Sequence, residues 1–140
     1  MLLQGIIGFI DGTFHQCARL MHNQQADYNG WKHSHGTKYQ EVMVPDGIFI
    51  HLGGPFRVTW HDCKILCQSH LEVMLDLIVG QHHGFHLYGD AAYGSHFPWV
   101  VASLKCLQIA SLELRHQNIR MASAHVVVEW GFGQVVKYVI

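Results

Sequence analysis

The sequence predicts one α/β domain in which a mixed sheet is flanked by helices. Three observations lead there. Runs with apolar residues on alternate sides open the chain and recur past its middle, a long stretch from Asp62 switches to helical spacing, and a second helical stripe closes the chain. Strands that lead and helices that interleave suit a covered sheet better than a bundle or a sandwich. With 140 residues, 49% hydrophobic and 14% charged, the chain can bury one sizeable core but not two, so residues 1–140 are expected to form a single domain.

Taken in order, "GIIGFIDGTF" (residues 5–14) is expected to be a buried strand ending at Asp11-Gly12. "KYQEVMVPDGIFIHLGG" (residues 38–54) reads as two β-rich runs joined by Pro45-Asp46-Gly47, a hairpin following the first strand. From Asp62, placed as the N-cap, the residues Cys63, Leu66, Cys67, His70, Leu71, Met74, Leu77 and Ile78 share one helical face. "GFHLYG" (residues 84–89) supplies another short strand, and residues 91–115 are expected to hold a helix and a further strand. In the closing segment, residues 118–140, "HVVVEW" favours a strand locally because three valines stiffen against a helix. Helical spacing nevertheless sets Met121, His125, Val128, Phe132, Val135 and Val139 on one stripe with Glu129 at its edge, and a helix is preferred.

A net charge of −1 gives no strong field toward nucleic acid or an anionic membrane, although 13 histidines add positive charge slightly below neutral pH. The opening "MLLQGIIGFI" lacks a basic leader and reaches Asp11 well short of a membrane span, so an intracellular protein with no membrane partner is expected. Cys17, Cys63, Cys67 and Cys106 contain no C-x-x-C pair and read as reduced thiols. The last residues, "VVKYVI", stop inside an apolar pattern, which suggests a fragment of something longer.

Six of the acids, Asp27, Glu41, Asp46, Glu72, Asp76 and Glu113, read as solvated surface or turn groups. Four stand apart: Asp11 follows "GIIGFI", Asp62 opens the central helix, Asp90 follows "GFHLYG", and Glu129 follows "HVVV". Singly, each has an ordinary reading as a cap, a turn former or a surface charge. As a set they suggest an oxygen-rich site for a hard divalent cation, because carboxylates delivered by apolar elements are costly unless they share a cation or a hydrogen-bond network.

The motifs "GFIDGTF", "YNGWKHSHGTKYQEVMVPDGI", "GGP" followed by "HD", "GDAAYG" and "NIRMASAHVVVEWGFG", in this order, resemble the DDE superfamily endonuclease domain of Harbinger-type transposases over nearly the whole chain. The resemblance implies a ribonuclease H-like fold, with Asp11, Asp90 and Glu129 as the catalytic triad and Asp62 as an additional metal ligand. It further implies a two-ion Mg²⁺ or Mn²⁺ site that hydrolyses DNA phosphodiesters in transposition, a nuclear location, and DNA as partner. A separate Myb-like DNA-binding protein and a homo-oligomer are the other partners it implies. The chain departs from the family pattern where Leu20 replaces Pro, Val58-Thr59 replaces Gly-Arg, and His125 replaces Arg. Each change removes rigidity or fixed positive charge, and together they point to a decayed copy that keeps the fold and the metal site but cleaves DNA poorly.

Two readings compete with the enzyme. One is a catalytically inactive transposase-derived scaffold that holds a DNA-binding partner. The other is a zinc module built from Cys63, Cys67 and His70, to which one helix offers only three ligands. Lys32, His35 and Lys38, in an aromatic-rich loop, are candidate contacts to a DNA backbone, set against a polar loop that merely feeds a strand.

Overall fold

The computed structural model describes residues 5–18, 28–31, 34–79, 84–93, 97–102 and 111–139. Its strands are β1 (Ile6–Gln16), β2 (Tyr28–Asn29), β3 (Ser34–Met43), β4 (Phe49–Arg57), β5 (His86–Gly89) and β6 (Val100–Ala102). The helices are α1 (Asp62–Gln68), α2 (Leu71–Val79) and α3 (Leu112–Val139), with a 3-10 turn at Ala91–Tyr93. The sheet runs β2-β3-β1-β5-β6, and β4 also pairs with β3. β1, β3 and β4 are antiparallel neighbours, whereas β1–β5 and β5–β6 are parallel. This mixed sheet flanked by helices is the α/β class the sequence predicts, and it is consistent with a ribonuclease H-like arrangement.

Strand alternation divides the core between two faces. Ile10, Val42 and Leu87 point to one side and pack with Leu66, Leu71, Leu75 and Tyr93 from α1, α2 and the 3-10 turn. Phe9, Met43 and Tyr88 point to the other and pack with Met121 and Val128 of α3. The stripe therefore prevails over the local β preference of the three valines: Val128 is buried, and Val126 and Val127 lie on the outer face. Ser111 starts α3 by accepting the Leu114 N–H on its hydroxyl at 3.2 Å. Phe132, Val135 and Val139 of the expected stripe have side chains outside the described residues.

Three expectations about elements change, and a fourth is met. β1 does not end at Asp11-Gly12; it continues to Gln16 because residues 13–16 find partners in Gly36 to Tyr39 of β3. Asp11 is thus a mid-strand residue and not a strand tip. The expected single helix from Asp62 is broken at His70, whose φ of 55° leaves the helical region, and Ser69 closes α1 with its hydroxyl on the Leu66 carbonyl at 2.9 Å. The N-cap is His61 and Asp62 is the first helical residue, because its carboxylate is turned to Lys38 and not to the helix's own N–H groups. Val100–Ala102 supplies the expected further strand of the 91–115 segment, while residues 103–110 lie outside the described residues.

The hairpin forms as expected. Gly47 takes a φ of 88°, which its lack of a side chain permits, and Asp46 accepts the Ile48 N–H at 3.2 Å. No described helix is long and apolar enough to cross a membrane.

Candidate metal centre

The parting of β1 from β5 creates the site. The two strands pair as far as Phe9↔Tyr88, after which β1 runs on beside β3 and β5 turns away at Asp90. Asp90 is anchored in that turn: its Oδ1 accepts the Ala92 N–H at 2.8 Å and its carbonyl accepts the Tyr93 N–H at 3.3 Å. Asp11, two residues beyond Phe9, faces α3. There the ligand atoms of Asp11, His125 and Glu129 lie within 4.8 Å of one another. His125 and Glu129, four residues apart on α3, share the helix face that the spacing predicts.

The carboxylates repel. Burial first, then Glu129 and Asp90, push the Asp11 carboxyl up from 3.8 to about 6, against the opposing pull of His125 and of the Gly12 N–H that it accepts at 2.8 Å. Asp62 stands on the opposite face of β1, beside Gly12. Its carboxyl is also pushed up, by burial first, while Lys38 pulls it down and Asp90 adds to the push. Asp90 thus lies in the field of both Asp11 and Asp62, although neither Asp62 nor Asp90 belongs to the three-donor cluster.

Gly12 is required by this closeness. A Cβ there would stand 2.9 Å from Asp62 Oδ1 and 3.7 Å from the Tyr93 hydroxyl. Gly12→Ala is accordingly expected to displace Asp62 and to lower stability by about 1–3 kcal/mol, the usual cost of overpacking, as read by urea denaturation.

The most buried acid of the site was not among the sequence candidates. Glu41, read from the sequence as solvated, is only 1% exposed, and among the described residues neither of its carboxyl oxygens has a hydrogen-bond partner. It is the β3 partner of Asp11 and shares its face. Burial first, then Asp11 and Glu129, push its pKa up to about 9, so it keeps its proton at neutral pH. The sequence signal was its place in the "YQEVMV" run, which pairs on both edges: β1 lies on one side of β3 and β4 on the other.

Of the suggested DNA contacts, Lys38 donates to the Trp60 carbonyl at 3.0 Å and sits 3.6 Å from Asp62 Oδ1. His35 packs its ring 5.2 Å from that of Tyr28. Lys32 and Leu20 lie outside the described residues. Cys63, Cys67 and His70 do not form a three-donor group: the helix break separates His70, Cys67 is exposed, and the Cys63 thiol donates to the carbonyls of Ala92 and Tyr93 at 3.0 and 3.2 Å.

The sequence model of a family described as DDE superfamily endonuclease matches residues 10–140. No curated protein and no solved structure matches the chain.

Proposed function

The chain belongs to the DDE superfamily endonuclease family, and from that premise we propose that it is a divalent-metal-dependent nuclease domain acting on DNA phosphodiesters. Asp11, Asp90 and Glu129 are the catalytic set, and Asp62 is a supporting ligand. The observation that carries this reading is the crowding of like charge: Asp11 feels both Glu129 and Asp90 while largely removed from water. Such convergence is unfavourable unless a cation or a proton settles among the acids. All four offer hard oxygen donors, which suit Mg²⁺ or Mn²⁺.

When bound, a pair of such ions supplies Lewis-acid polarisation of a phosphate and a more acidic water. The chain's own contribution is placement. Asp11 is held by the β1–β3 ladder, Asp90 by its bond to the Ala92 N–H, and Glu129 by the register of α3 on the sheet. Lys38 holds Asp62 from the other side. Within the family the Harbinger-type motifs favour a transposase-derived protein, acting on DNA in the nucleus beside a Myb-like partner or a second copy of itself.

The test is nicking of supercoiled plasmid with Mg²⁺ or Mn²⁺, alongside calorimetric Mn²⁺ titration. Asp90→Asn keeps an acceptor for the Ala92 N–H, so the variant is expected to fold while cleavage drops to background. Mn²⁺ binding without nicking by the unmodified protein would favour the decayed, scaffold reading. No Mn²⁺ binding at all would remove the metal centre from consideration.

A further inference from the structure

His125 carries an observation that the carboxylate site does not use. The residue is 8% exposed and packs edge-on against the mutually touching rings of Phe9 and Tyr88, with centroids 6.4 and 6.2 Å away. Its Nε2 faces the Ile10 carbonyl at 3.4 Å. A carbonyl can only accept, so the contact is a hydrogen bond when Nε2 carries the hydrogen, the tautomer that leaves the lone pair on Nδ1. That atom faces the acids, 3.8 Å from Glu129 Oε1 and in the cluster with Asp11.

The 3.8 Å separation is too long for a hydrogen bond. Two donors held ~2.0–2.2 Å from one ion stand ~3–4.4 Å apart, depending on the angle between them. The back-side bond from the other ring nitrogen to a backbone carbonyl is the arrangement that orients metal-binding histidines. Glu41 provides an independent sign of a ligand site: it is buried beside Asp11 on the same face, and among the described residues neither of its oxygens has a partner.

We propose that His125 Nδ1 is a metal ligand, completing with Asp11 and Glu129 a mixed nitrogen and oxygen site that prefers Mn²⁺ over Mg²⁺. This rests on the metal-centre reading above and refines it. Divalent first-row ions, of which Mn²⁺ binds most weakly, accept an imidazole nitrogen more readily than Mg²⁺, which keeps to oxygen donors, so one histidine among the carboxylates biases the choice against Mg²⁺. Phe9 and Tyr88 fix the ring plane, which leaves Nδ1 little freedom to turn away.

The test combines electron spin-echo modulation of protein-bound Mn²⁺ with Mn²⁺ and Mg²⁺ titrations of the unmodified chain and of His125→Phe, which keeps a ring against Phe9 and Tyr88. The expected results are ¹⁴N modulation in the unmodified protein and its loss in the variant. Mn²⁺ affinity should fall roughly 10- to 100-fold while Mg²⁺ affinity changes little. Mn²⁺ bound without nitrogen modulation overturns the histidine ligand and leaves the carboxylate centre standing. Binding of neither ion by the unmodified protein overturns both. The spectrum of the unmodified protein decides the point even if the variant fails to fold.

Discussion

Glu41→Gln is expected to flatten the pH dependence of stability and to make the protein several kcal/mol more stable near pH 8 in chelator-containing buffer. The folded carboxyl holds its proton up to about 9, whereas in the unfolded chain it titrates near 4.5. Its contribution is therefore fully present below about 4.5 and is lost as pH rises toward 9, at about 1.4 kcal/mol per pH unit. Glutamine has the same shape and no proton to lose, so the slope from this position disappears. Asp11, raised from 3.8 to about 6, adds a loss of the same sign at lower pH, and this part persists in the variant. Urea midpoints at pH 5 and pH 8.5 for both proteins check the idea; parallel curves would sink it.

Tyr93→Ala is expected to cost about 3–5 kcal/mol, the range for emptying a large aromatic site in a packed core. The side chain is fully buried, and its ring lies where a Cβ on Gly89 would come within 2.8 Å, so strand and turn close directly on it. Its hydroxyl lies 3.5 Å from Gln40 Nε2, another fully buried group, and burial raises the phenol's pKa well above its ordinary value, which keeps it neutral. The backbone around Tyr93 also ties the Asp90 turn to Cys63 of α1. The substitution should therefore weaken Mn²⁺ binding as well as folding. Tyr93→Phe, which keeps the ring and loses only the long Gln40 contact, should cost about 1 kcal/mol. Equal losses in the two variants would show that the hydroxyl, and not the volume, is what the core needs.

Much of this was legible in the residue pattern. The alternation in "GIIGFI", the Pro-Asp-Gly joint of the hairpin and the stripe through Met121, His125 and Val128 all follow from periods that backbone geometry imposes. The same spacing placed His125 and Glu129 on one face, though not that the imidazole would point its lone pair at the acids. What was hidden depends on neighbours distant in sequence. Asp11-Gly12 has the composition of a turn, yet Gly12 serves close packing against Asp62 and Tyr93 inside a continuing strand. Glu41 follows the polar Gln40 in sequence, and only the position of β3 between β1 and β4 reveals that its face is closed by α3. The break at His70 arises where Ser69 draws the chain out of the helix, which an unbroken apolar stripe conceals.

The extension of β1 past Asp11 has a mechanical consequence. An acid at a loop tip can swing aside when its neighbours repel it, but Asp11 is clamped by ladder bonds ahead and behind, so its backbone cannot yield without unzipping the sheet. Repulsion among the acids is then relieved by taking up a proton or a cation from solution. Loading the centre should tighten the whole domain, and a simple melting curve recorded with and without added ions becomes a gauge of occupancy.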